Sequence, residues 1–163
     1  MDNKELEKIS KLIENIKNDI NIEFIPHFLN WFYQKLDLHF NKNTPDLKIN
    51  KGSIFYVNLW QNIWWELNKT RPCLVYSHKK ANFWNTVIVI PLKSYKWNKI
   101  NNFQVLITAT DENCLNKDSI VDISSMRQIS KKRLLDKIWD IEKIHFKEID
   151  KKLVYIFWIK NNE

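Results

Sequence analysis

Between residues 69 and 77 the chain reads Lys-Thr-Arg-Pro-Cys-Leu-Val-Tyr-Ser, a charged turn running straight into a β-branched and aromatic segment. Pro72 fixes its own φ, removes a backbone donor and drives Arg71 towards extended backbone, which predicts an Arg held at the mouth of a strand. An Arg aimed in advance from a sheet rim is suited to binding an anion. Strand candidates bracket this turn, Ser53 to Leu59 upstream and Asn85 to Pro91 downstream, and Phe103 to Thr108 and Ser119 to Ile123 follow. Each is rich in β-branched or aromatic residues and bounded by polar turns. Leu134 to Trp139 suits a last strand after a short helical turn at Lys131-Lys132-Arg133 capped by Ser130. Short strands in this number predict a small β-barrel.

Helical periodicity dominates the two ends. Leu6, Ile9, Leu12, Ile13, Ile16 and Ile20 recur on one face among Lys and Glu, which predicts an amphipathic helix. A second helix is predicted from Ile25-Pro26, with Phe28, Leu29, Phe32, Tyr33, Leu36 and Phe40 forming an aromatic face and Pro26 in the first turn. Asn41 to Asp46 is a turn-rich linker. Asp140 is expected to cap a terminal helix, with Ile141, Ile144, Ile149, Leu153, Ile156 and Ile159 on or near one face. The predicted class is therefore α+β, with a two-helix extension over 1–48 and a barrel domain over 49–163. The extension is read as a stabilising cap or as a cover over a binding surface.

Charge separates the same two regions. Residues 1–48 hold 7 Lys and 8 acidic residues, net −1, which leaves net +8 on 49–163. A positive surface concentrates polyanions, although the abundance of Lys, Asn and Ile beside a single Gly also suits an AT-rich coding bias. The longest apolar run, Leu153 to Ile159, is too short to span a bilayer, and Cys73 and Cys114 have no paired spacing. A cytoplasmic protein without a membrane span is expected.

The four histidines, His27, His39, His78 and His145, are not spaced as metal ligands, and no paired acidic cluster stands near them. If the polyanion is RNA, its own 2′-hydroxyl supplies the nucleophile, and the protein need only orient the strand, assist proton transfer and stabilise charge on phosphorus. Arg71 suits that last task, since its planar fork holds two phosphate oxygens and stays charged. A pairing with Glu66 is its plainer role. Trp60, Trp64 and Trp65 are dense enough to stack unpaired bases or to pack on the extension. His78 suits a proton shuttle or an ordinary solvated position, and Arg127 either contacts RNA or seals the barrel.

Taken in order, Lys51-Gly52-Ser53-Ile54, Glu66, Arg71 to Val75, Pro91-Leu92-Lys93-Ser94, Asp118-Ser119-Ile120 and Ser125 to Ser130 resemble the segments of the MazF/PemK family of toxin ribonucleases. The likeness covers about residues 50 to 160. It implies an SH3-like barrel with a C-terminal helix, a homodimer that binds single-stranded RNA across the subunit junction, a cognate antitoxin as partner, and no cofactor or metal. In the family a matching Arg and a Thr or Ser on the third-strand turn form the catalytic pair, here Arg71 and Ser94. Lys69, Lys93, Glu66, Trp64, Trp65 and Arg127 are the RNA-binding candidates. Three departures stand out. Lys93 occupies the usual Thr position, Ser124-Ser125 replaces an acidic-Gln pair so that any ancillary carboxylate comes from Asp122, and Glu66-Leu67-Asn68 lacks the family's loop Gly. The alternative function is a non-catalytic SH3-like module that binds RNA or protein.

Overall fold

The computed structural model describes residues 3–19, 24–41, 47–59 and 69–158. The expected roles of Trp60, Trp64, Trp65 and Glu66, and the place of Ile159, fall outside those residues. The chain divides into two compact units, Met1–Asn41 and Lys42–Glu163. In the first, helices α1 (Asn3–Asp19) and α2 (Phe24–Phe40) form as the periodicity predicts. Pro26 lies in the first turn of α2, where a missing N–H costs nothing. Among the described residues, no helix is long and apolar enough to cross a membrane.

The second unit is a seven-stranded antiparallel sheet: β1 (Ser53–Asn58), β2 (Thr70–Val75), β3 (Thr86–Ser94), β4 (Gln104–Ile107), β5 (Ser119–Asp122), β6 (Arg127–Ser130) and β7 (Leu134–Asp140). Its order is β4-β5-β3-β2-β1-β7, with β6 also on β3. The expected barrel is thus left open, because the end strands β4 and β7 do not pair among the described residues. Helix α3 (Ile144–Ile156) follows.

Strand β3 organises the sheet. One edge pairs with β2 through Cys73↔Pro91, Leu74↔Ile90 and Val75↔Val89. The other edge takes β6 along Thr86 to Val89 and β5 along Leu92 to Ser94, leaving Ile90 and Pro91 between the two ladders. Pro91, which has no N–H to offer, falls in the gap where the partner strand is interrupted by a 3-10 turn at Ile123–Ser125. Sequence reading missed β6 because Arg127-Gln128-Ile129-Ser130 is short and largely polar.

Alternation sends the strands into two cores. Ile54, Leu74, Tyr76, Ile90, Leu92, Val105, Ile107, Val121 and Ile123 pack with Ile141 and Ile149, and α3 adds Phe146, Leu153 and Ile156. Phe55, Val57, Leu59, Cys73, Val75, Val87, Val89, Ile129 and Leu134 form the other, with Leu47 and Ile49 against it. Each fully buried aliphatic or Phe side chain contributes about 1.5–3 kcal/mol.

Two details of the C-terminal segment differ from expectation. Asp140 ends β7 instead of capping α3; its carboxylate accepts the Ser53 hydroxyl at 2.6 Å and pairs with Lys137, and the residue preceding α3 is Lys143. Ile144 points to solvent, while Ile149 is wholly buried. Ser130 does cap the short turn at Lys131–Arg133, accepting the Lys132 N–H.

Candidate active site

The functional candidates lie where the rows of the second core run out. On β2 the row is Val75, Cys73, Arg71; on β3 it is Val87, Val89, Pro91, Lys93. Extending the β2–β3 register past Cys73↔Pro91 by two residues sets Arg71 opposite Lys93. Burial thus ends in two cations at one end of the sheet. Arg71 is not at the strand mouth as predicted but one residue inside it, since β2 starts at Thr70 and Arg71 pairs with Val57. Pro72 faces Tyr56 on β1, and the β3 ladder begins only at Cys73, so the missing donor breaks no bond there.

Two cavities flank this end. The first, about 250 Å³, is lined by Tyr56, Pro72, Leu92 and Ser119 together with Cys114 to Lys117 of the β4–β5 connection. A second of about 560 Å³ is lined by Ile120, Gln104 and the β3–β4 loop residues Lys96, Asn98, Lys99 and Asn101. By strand alternation the first opens on the α3 side of the sheet and the second on the other side. Arg71, Lys93 and Ser94 line both. They form the rim between the two cavities, and the two residues expected to be catalytic are brought together there.

Lys93 is engaged from below. Lys93 pairs with Ile120 on β5, so Asp122, two residues further on, is its diagonal neighbour on the same face. The Lys93 ammonium donates to Asp122 Oδ2. The Ser124 hydroxyl donates to Oδ1 at 2.6 Å and the Ser125 hydroxyl to Oδ2 at 3.2 Å. Asp122's side chain is only 4% exposed, whereas that of Lys93 is 38% exposed. Burial alone would push this carboxyl up; Lys93 and the two serine hydroxyls outweigh it and hold it below the usual carboxylate range. The ancillary carboxylate left to Asp122 by the sequence therefore belongs to Lys93.

The remaining candidates are dispersed. Lys69 is exposed with φ +64°, its carbonyl accepting the Leu59 N–H at the base of the β1–β2 loop. Arg127 lies on β6 opposite Val89 and lines neither cavity. It belongs to the same electrostatic neighbourhood, however. Burial pushes the Cys73 thiol up to about 12 against the pull of both Arg71 and Arg127. Burial, and then Arg127, lowers the Arg133 guanidinium below its ordinary value. His78 stands beyond the far end of β2, where its Nδ1 accepts the Lys80 N–H at 3.2 Å, a turn-forming role. No group of three or more His, Cys, Asp or Glu able to hold a metal ion occurs among the described residues.

Sequence reading missed the β3–β4 loop entirely. Its Lys and Asn residues match the compositional bias of the whole chain, and only the fold places Lys96, Asn98, Lys99 and Asn101 around one cavity. Trp97 in that loop is 86% exposed, with its ring 5.5 Å from that of Tyr95. An exposed indole in a Lys-rich sequence was the available signal.

The model of the PemK-like, MazF-like toxins of type II toxin–antitoxin systems matches residues 50–157. Among solved structures, MazF (Form-I) from Deinococcus radiodurans is similar with a TM-score of 0.60 at 18% identity, over 70% of this chain and 100% of that one. Toxin MazF-mt6 of Mycobacterium tuberculosis gives 0.54 at 17% identity, over 67% and 99%. An endoribonuclease in complex with its cognate antitoxin, from a mycobacterial species, gives 0.55 at 13% identity, over 69% and 98%. At these identities the structural likeness concerns the fold. No curated protein matches the sequence significantly.

Proposed function

Because the chain belongs to the PemK-like, MazF-like toxin family of type II toxin–antitoxin systems, we propose that it is a metal-independent endoribonuclease cutting single-stranded RNA. The observation that carries this reading is the convergence of Arg71, Lys93 and Ser94 on the rim shared by two cavities. A phosphate on that rim has room for a nucleotide on either side. The RNA 2′-oxygen attacks the adjacent phosphorus, the O2′–P bond forms, the P–O5′ bond breaks, and the ends are a 2′,3′-cyclic phosphate and a 5′-hydroxyl. Arg71 donates two N–H groups to the non-bridging oxygens as negative charge accumulates. Ser94 offers a hydroxyl to the proton that leaves O2′ or reaches O5′, and Lys93 adds a point charge. Lys96, Lys99 and the amides of Asn98, Asn101 and Gln104 hold the flanking strand.

By analogy with the mycobacterial endoribonuclease solved in complex with its cognate antitoxin, a cognate antitoxin binds this chain, and the family resemblance makes a homodimer the working unit. The test is cleavage of a long single-stranded RNA in EDTA with the end groups identified. Arg71→Ala lowers kcat by about 10²–10³-fold, Arg71→Lys recovers only part, and Ser94→Ala costs less than Arg71→Ala. RNA left intact, cleavage abolished by chelator, or an Arg71→Ala variant of wild-type rate overturns the reading. One observation favours the alternative, a non-catalytic RNA- or protein-binding module: Lys93 stands where the family's Thr is expected. RNA binding without cleavage selects that alternative.

A further inference from the structure

Building on the cleavage reading above, we propose that Asp122 is a positioning residue for the reaction, a buried carboxylate that fixes the Lys93 ammonium on the rim beside Arg71 and Ser94. The clamp has three donors on one carboxylate: Lys93 and Ser125 on Oδ2, Ser124 on Oδ1. It is built by the interruption of the partner strand opposite Pro91. β5 ends at Asp122, the chain turns through Ile123–Ser125, and both serine hydroxyls fold back onto the carboxylate they follow. Diagonal pairing across β3 and β5 then brings Lys93 to the same group.

The arrangement has a chemical purpose at a phosphate. A lysine side chain is long and flexible, and an unanchored one would have to be ordered each time RNA binds. Asp122 orders it beforehand. Among the described residues Lys93 donates to Asp122, which occupies one of an ammonium's three hydrogens and leaves the others for phosphate oxygens. Asp122 itself is too buried to touch RNA, so its influence on the reaction runs through Lys93. The residue that breaks the family's hydroxyl pattern thereby becomes a fixed cation, at the position where charge develops during attack.

Asp122→Asn keeps the shape but loses the charge that anchors Lys93 and replaces one of the two acceptor oxygens with an NH2 donor. It is expected to lower kcat between about ten- and a hundredfold, the scale of a displaced catalytic group. KM for a defined oligoribonucleotide should stay level or fall, because the rim gains one unit of positive charge. In a Lys93→Gln background the same substitution should cost less than about twofold more, since the group it positions is gone. A merely structural Asp122 predicts a lower Tm, unchanged kcat per folded molecule, and an equal effect in both backgrounds. Any of the last two results overturns the proposal. If Asp122→Asn does not fold, Ser124→Ala, which keeps the carboxylate and removes its closest hydroxyl, is expected to reduce kcat severalfold in the wild-type background and not in Lys93→Gln; no reduction overturns it. Wild-type protein that leaves RNA uncut removes the cleavage reading and this proposal together, whereas active wild type with an equally active Asp122→Asn removes this proposal alone.

Discussion

Gly52 is the only glycine in the chain, and two independent constraints hold it. Its φ is +97°, and a Cβ built there would lie 2.6 Å from Phe146 Cζ and 3.3 Å from Ile141 Cγ2. Its N–H donates to Val75 O at 2.8 Å, and its carbonyl accepts the Ile141 N–H at 2.7 Å, so β1, β2 and the approach to α3 meet at this residue. Gly52→Ala is expected to lose about 1–2 kcal/mol through backbone strain and about 1–3 kcal/mol through overpacking, read as a lower urea midpoint at constant m. Phe146→Leu in the same chain should recover only the packing share. The two cysteines make a second residue-scale contrast. Cys73 is buried, and its thiol, pushed up to about 12, stays protonated at neutral pH, whereas Cys114 is exposed. Iodoacetamide should label Cys114 alone in the folded protein and both after denaturation, as peptide mass analysis would report; native labelling of Cys73 would contradict its burial.

At the level of elements, the carboxylates ending two strands tie the sheet to its surroundings. Asp122 at the end of β5 and Asp140 at the end of β7 are each pushed up by burial, but are pulled further down by a lysine and serine hydroxyls, or in Asp140's case one serine hydroxyl. Their folded values therefore lie below the unfolded ones. The stability each contributes is complete above the unfolded carboxylate range of about 3.9, and is lost as pH falls through the folded value. Urea midpoints should be level from about pH 7 to 5 and fall steeply below about 4. Asp122→Asn should flatten that fall as well as lowering the neutral midpoint; an unchanged acid slope would show that Asp122 does not carry it.

For the molecule as a whole, both cores are assembled from residues within 42–163, and Leu47 packs against the second of them. Deleting residues 1–41 takes away none of those core residues, so a shortened chain that melts near the full chain's temperature rules out a stabilising cap. Deleting 1–48 removes Leu47 as well and should melt lower. Whether the helical extension is a cap or a cover is decided by the same pair of proteins. A cover predicts that the shorter chain cleaves RNA faster, with a gain that shrinks at high salt; a cap predicts aggregation, and unchanged activity of a soluble truncation removes both.

The sequence by itself determined the parts with strong local signals. Helical periodicity placed α1 and α2, β-branched runs placed five of the strands, and the Arg71-Pro72 step marked the strand that carries the candidate cation, because each depends on spacing or stereochemistry along the chain. Asp140 reads as a helix cap in sequence but is not one, since an Asp before an apolar run looks the same whether its acceptor serves a helix or, as here, Ser53 across 87 residues. The short polar β6 becomes a strand through its pairing with β3. Tertiary structure alone decided the site: that Lys93 meets Asp122 diagonally, that two serines close on the same carboxylate, and that a loop of Lys and Asn lines a cavity. The Lys93–Asp122 contact joins residues 29 apart through strand register, which is fixed by what the two cores bury on either face, whereas the serine contacts are local and depend on the turn that ends β5.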